Sequence, residues 1–183
     1  MDVNTIFTLD EQTKVILLKN SIKYIDDSCW AYLKSNIPQL KSFPYIIAGG
    51  YFVSNFHNEE PNDIDMFFLD VNEPVPIPDM SIVKKESKIE YMNNPDILRA
   101  FTVNRGLGRD INVILTKYKT REDLMNHFDM WHCKMSYDPS CDGFFISRMA
   151  YDAVKNKKII HANLATPIKQ HRIDKYLKRG YTL

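Results

Sequence analysis

Asp63 and Asp65 stand one residue apart at the head of an apolar run, Met66-Phe67-Phe68-Leu69. In a strand, residues two apart share a face, so the two acids project together while Ile64 and Met66 turn to the core. Carboxylates held this close repel each other, which raises a pKa unless a cation lies between them. Oxygen-only donors suit Mg²⁺ or Mn²⁺, and Mg²⁺ commonly takes one or two carboxylates together with substrate phosphates. Upstream, Tyr45-Ile46-Ile47-Ala48 reads as a short buried strand that runs into Gly49-Gly50. There the chain can turn sharply and a ligand can approach the backbone. A short helix to about Phe56 would follow, its first N–H groups available to phosphate. This is the chemistry of a metal-nucleotide site.

Strand, Gly-Gly, short helix and then Asp-x-Asp on the next strand resembles the polymerase-β-type nucleotidyltransferase superfamily. Gly49-Gly50 matches its glycine pair, and Asp63 with Asp65 matches its metal-binding pair. The third carboxylate of that superfamily sits on a neighbouring strand followed by apolar residues. Asp110-Ile111-Asn112-Val113-Ile114 resembles that strand and makes Asp110 the third metal ligand or general base, with Asp129 as its rival. Arg105 and Arg109, beside Asp110, would contact a triphosphate or pair with the carboxylates. The closing Arg-Ile-x-Lys-Tyr-x-x-Arg-Gly pattern, Arg172 to Gly180, resembles small stand-alone phage-encoded members.

The resemblance implies transfer of a nucleoside monophosphate from a triphosphate to an acceptor hydroxyl, with Mg²⁺ or Mn²⁺ as cofactor. Superfamily acceptors include nucleic-acid 3′ ends, proteins and small molecules. A second reading keeps the fold without catalysis, as a module that binds nucleic acid or a protein partner. It is favoured by bulky Tyr51 after Gly50, by a following helix without Lys or Arg, and by Glu59-Glu60 nearby. The plainest reading makes Gly49-Gly50 a loop and Pro61-Asn62-Asp63 a turn capped by Asp63.

The 183 residues suit one domain able to bury a sizeable core. With 44% hydrophobic and 26% charged residues the composition is that of a globular protein, and a net charge of +1 gives no global pull toward nucleic acid or membrane. Three cysteines, Cys29, Cys133 and Cys141, make no disulfide framework and point to a reducing compartment. His132-Cys133 and Cys141 lack the further ligands that zinc requires. No apolar run reaches the roughly 18 residues of a membrane span, and no basic-then-apolar leader is present. A cytoplasmic location is expected.

The elements around the site follow from periodicity and caps, and the expected class is α+β: a mixed or antiparallel sheet flanked by helices, with a C-terminal helical segment. The expected divisions are an N-terminal helical cover over 1–40, a sheet core over 41–137 and a helical segment over 138–183. Thr8 and Glu11 form a capping-box pattern before a stripe of Val15, Leu18, Ile22 and Ile25, and Pro38 closes that region. Pro74, Pro76 and Pro78 enforce an extended connection, and a strand is expected from Ile89. Ala100–Val103 and Ile111–Leu115 flank a glycine-containing loop as a β-hairpin. Further on, the spacing predicts a strand over Phe128–Tyr137 and a helix over Phe144–Lys155. A last helix should have Thr166 as N-cap, Pro167 at its first position and Gly180 past its end. Lys169, Arg172, Lys175, Lys178 and Arg179 make it basic, able to contact phosphate or a nucleic-acid acceptor or simply to face solvent.

Overall fold

The computed structural model describes residues 7–76, 81–86, 94–106 and 108–183. Thr8 opens the long helix α1 (Leu9–Asn36) with the expected capping box. Its hydroxyl accepts from the Glu11 N–H at 3.3 Å, and the Glu11 carboxylate accepts from the Thr8 N–H at 3.0 Å. Val15, Leu18, Ile22, Cys29 and Leu33 recur at helical spacing and are all buried, so α1 offers one continuous apolar stripe. Pro38 ends the helix in a 3-10 turn, Pro38–Ser42.

Seven strands form one mixed sheet. They are β1 (Tyr45–Ala48), β2 (Asp63–Phe68), β3 (Val83–Glu86), β4 (Ile97–Val103), β5 (Asp110–Thr116), β6 (Met135–Asp138) and β7 (Gly143–Ile146). Their order is β3-β4-β5-β2-β1-β6-β7, with β2 and β5 parallel and every other pair antiparallel. Helix α2 (Gly50–Phe56) follows β1, and α3 (Arg121–Asn126), α4 (Arg148–Lys155) and α5 (Gln170–Lys178) complete the α+β architecture. Alternation along the strands makes two cores. Ile47, Ile64, Met66, Phe68, Phe101 and Val113 cluster with the α1 stripe. Ile46, Ala48, Phe67, Ala100 and Ile114 form a smaller cluster on the other face with Tyr118, Leu124 and Met125. Asp63 and Asp65 belong to this second face.

The β4–β5 hairpin pairs Phe101 with Val113 and Val103 with Ile111, as expected. Three other segments differ. Over 128–137 the strand begins only at Met135, because Trp131–Cys133 is a 3-10 turn that buries His132 and Cys133. The helix expected over Phe144–Lys155 starts at Arg148, where the Ser147 hydroxyl accepts from the Ala150 N–H at 3.1 Å. Before it, Phe144-Phe145-Ile146 pairs with β6 as an edge strand, the use that aromatic and β-branched residues favour. The last helix begins at Gln170, not after Thr166. The Thr166 N–H donates to the Asn163 carbonyl at 3.0 Å, so that stretch closes into a turn first. Gly180, at φ 81°, lies just past the helix end as expected. Pro78 and the strand expected from Ile89 fall outside the described residues. Among the described residues no helix is long and apolar enough to cross a membrane.

Candidate active site

Gly49 leaves β1 with φ 90° and ψ −137°, a conformation open to glycine and strained for other residues. A Cβ at this position would lie 3.6 Å from Asp65 Oδ2 and 3.7 Å from the Phe128 ring. The missing side chain therefore keeps open the space above Asp65. Helix α2 is anchored from its buried side by Tyr51, Phe52, Val53 and Phe56. Tyr51, bulky for its place, is 2% exposed and its hydroxyl meets Ser21 Oγ of α1 at 3.1 Å. It serves packing.

A cavity of about 490 Å³ opens here, within the size range of small-molecule sites. Asp63, Asp65 and Asn112 form its floor. The glycine turn, residues 59–62, the apolar Phe67, Tyr118, Leu124 and Phe128, and residues of α5 complete its lining.

The parallel register sets Asp63 beside Asp110 and Asp65 beside Asn112. The Asn112 side-chain amide donates to Asp63 Oδ2 at 2.9 Å and to Asp65 Oδ1 at 2.7 Å. Its own Oδ1 accepts from the Thr102 hydroxyl at 2.7 Å. Burial, with the charge of Asp63 added, pushes the Asp65 carboxyl up to about 6, while the Asn112 amide, Lys175 and Arg172 pull it down. Two carboxylates on one face, one of them held against its ionised form, are a donor set that fits a divalent cation bound together with phosphate oxygens. No group of three or more His, Cys, Asp or Glu side chains able to hold a metal occurs among the described residues.

Helix α5 is seated by contacts that span much of the chain. The Tyr176 ring meets the His132 ring edge-on at 4.2 Å, its hydroxyl lies 3.2 Å from Cys133 Sγ, and it reaches to within 4.0 Å of where a Gly50 Cβ would be. Arg172 donates to Asp129 Oδ2 at 2.8 Å, and Arg179 donates to Glu59 Oε2. This seating brings Lys169, Arg172, Lys175 and Arg179 into the lining of the cavity that also holds Asp63 and Asp65.

The model of the Gabija anti-defense 2 protein family matches residues 16–157. The chain belongs to the Gabija anti-defense 2 family. Comparison with curated proteins gives no match. Among solved structures, the chain is similar to the Thermotoga maritima CCA-adding enzyme complexed with tRNA, at 15% identity and TM-score 0.53 over 82% of this chain and 37% of that one. It is also similar to a CCA-adding enzyme in complex with ATP, at 13% identity and TM-score 0.51 over 91% of this chain and 45% of that one. At such identity the likeness is one of fold, a polymerase-β-type nucleotidyltransferase fold. The chain spans less than half the length of those structures.

The chain brings together part of the set expected from its sequence. Gly49, Gly50, Asp63 and Asp65 line the cavity. Asp110 is the register neighbour of Asp63 but is paired with Lys84 at 2.7 Å and lies outside the cavity lining. Arg105 points away, to the Arg109 carbonyl and to Ser28 and Cys29 of α1. Arg109 binds the Pro61 carbonyl at 3.0 Å and Glu60 at 2.7 Å. Both arginines brace the rim of the fold, and neither lines the cavity. Asp129 does line it, 5% exposed, with Oδ1 lacking any hydrogen-bond partner. Missing from the sequence expectation were Asn112 as the carboxylate bridge and the α5 cations as residues of the site itself. The dense cations of α5 were the available signal for the second.

Proposed function

We propose that this protein is a metal-dependent nucleotidyltransferase, a minimal phage-type member of its superfamily, that moves a nucleoside monophosphate from a triphosphate to an acceptor hydroxyl. One observation supports the reading: a pair of carboxylates, Asp63 and Asp65, lines the same cavity of nucleotide size as Lys175 and Arg172, whose charges act on Asp65. Asp63 and Asp65 would hold Mg²⁺ or Mn²⁺. When bound, the ion neutralises phosphate charge and favours departure of pyrophosphate. Lys175 and its α5 neighbours hold phosphate oxygens and fix the triphosphate against the floor. Phe67, Tyr118, Leu124 and Phe128 exclude water from the apolar end. The family name assigns opposition to the Gabija defence, so the acceptor is sought among its components, protein or nucleic acid.

The second reading, binding without transfer, is favoured by Asn112, whose amide donors occupy the space between the carboxylates. Melting with and without Mg²⁺ and a triphosphate tests the shared part, because a ligand that binds only the folded state raises the melting temperature. Labelled triphosphates offered with a panel of RNA, DNA and protein acceptors test the transfer. Label passed by the wild type and lost in both Asp63→Asn and Asp65→Asn supports the enzyme. Transfer persisting in both variants overturns the assignment of these residues, and binding without transfer selects the module.

A further inference from the structure

The Asn112 amide is fixed from both ends. Its Nδ2 donates to Asp63 and Asp65, and its Oδ1 accepts from Thr102. Turned over, it would aim its carbonyl at two carboxylates, so electrostatics selects the observed orientation. One step along the same face, Asp110 stands in register with Asp63 and its carboxylate is matched by Lys84 at 2.7 Å. This end of the β2–β5 pair thus carries three carboxylates, one of them already compensated. Two negative charges remain, the charge of one divalent cation.

We propose that Asn112 and Lys84 make this a one-cation site. The Asp63–Asp65 pair takes a single Mg²⁺ or Mn²⁺, which displaces the Asn112 amide donors, and among the described residues the other acids of the cavity, Asp129, Glu59 and Glu60, have their charge matched by Arg172, Arg179 and Arg109. The inference rests on the reading that this pair binds metal. Such a site grips a triphosphate on one cation and gives the acceptor hydroxyl no cation of its own.

Mn²⁺ alone, titrated into the full chain and followed by electron paramagnetic resonance of the free ion, counts the sites. The wild type should take one Mn²⁺ per chain, and Asp65→Asn should lose it. Asn112→Asp, adding a carboxylate at the bridge, should take a second. Asn112→Ala removes the competing donor, so it should keep one site and bind about tenfold tighter, the worth of one hydrogen bond to a charged group. Circular dichroism checks each fold, and Asn112→Ala carries the test if Asn112→Asp does not fold. Two Mn²⁺ on the wild type overturn the proposal and leave the metal-binding reading standing. So does a folded Asn112→Asp that takes one ion, or an Asn112→Ala that binds no tighter. No Mn²⁺ on the wild type at millimolar concentration, with or without a triphosphate, overturns both.

Discussion

Acidification should loosen α5 through His132. This ring is fully buried, both its nitrogens lack hydrogen-bond partners, and it packs against Tyr176 at 4.2 Å and Tyr181 at 4.7 Å. Burial lowers its pKa to about 3, reinforced by the charge of Arg172; the Lys158 backbone offsets part of this without reaching hydrogen-bond geometry. The unfolded chain, with a histidine near 6.5, therefore binds more protons than the folded one between about pH 3 and 6.5. Stability is lost as the pH falls through that window. From pH 7.5 to 5.0 the loss is about 2 kcal/mol, since 1.5 pH units below 6.5 at 1.36 kcal/mol per unit gives that figure. A folded value anywhere below about 4 yields the same number, so the magnitude rests mainly on burial.

His132→Phe keeps an aromatic ring among the two tyrosines and removes the titration. Asp65 and Asp26, both pushed up to about 6 chiefly by burial, act with the opposite sign, but they are common to both proteins and cancel in the difference. Urea unfolding of wild type and variant at pH 7.5, 6.5, 5.5 and 5.0, followed by tryptophan fluorescence, should show the variant gaining about 2 kcal/mol on the wild type. In melting temperature that is about 4–8 °C for a chain of this size. Because Tyr176 carries α5, triphosphate affinity at pH 5 should also hold better in the variant. Parallel stability curves from pH 7.5 to 5.0 would refute the assignment of His132 as a neutral core residue.

Asp65→Asn in metal-free buffer should stabilise the protein by about 1–3 kcal/mol at pH 7.5, read by urea unfolding, since a buried acid whose pKa is raised to about 6 penalises folding above its unfolded value near 4; the gain should shrink toward zero as the pH falls to 4. Lys175→Ala should weaken triphosphate binding roughly tenfold and flatten its salt dependence without moving the melting temperature, as calorimetric titration would show. Arg172→Ala should instead cost about 1–3 kcal/mol of stability, because Asp129, 7% exposed in its side chain, loses its ion-pair partner. Gly49→Ala should cost about 1–3 kcal/mol from the backbone alone, since its Cβ meets only ordinary contacts at φ 90°, measured by melting.

The halves of the site differed in how readily the sequence disclosed them, and the difference is physical. Asp63 and Asp65 were legible because period-two alternation places both on the face opposite Ile64 and Met66 whatever the sheet around them does. Gly49 was legible because few other residues accept a positive φ. Both signals are local. The position of α5 is not: Tyr176 on His132, Arg172 on Asp129 and Arg179 on Glu59 each join residues about 40 to 120 positions apart. Arg105 and Arg109 drew attention through nearness in sequence to Asp110, yet the turn out of β4 sends one to α1 and the other to Glu60. Asn112 lies on the strand face that its spacing from Asp110 dictates, but a search for carboxylates passes over an amide. The starts of α4 and α5 were set too early for nonlocal and local reasons in turn: Phe144-Phe145-Ile146 pairs with β6 before α4 begins, and the Thr166 N–H closes a turn on Asn163 before α5 begins.

Charge pairing inside the cavity argues for the kind of ligand it accepts. Arg172 is matched with Asp129 and Arg179 with Glu59, and these pairs fix α5 to the sheet. Past them, Asp63 and Asp65 line the cavity together with Lys175, whose charge acts on Asp65. A bare polyanion entering here would satisfy Lys175 and be repelled by Asp63 and Asp65; a bare cation would bind those two acids, weakened by the nearby charge of α5. A triphosphate carrying its own divalent cation presents both signs at once, the metal toward Asp63 and Asp65 and the phosphate oxygens toward α5. That complementarity does not depend on the acceptor or on whether transfer occurs. On the proposed reading, a metal-triphosphate complex should therefore bind more tightly than metal alone.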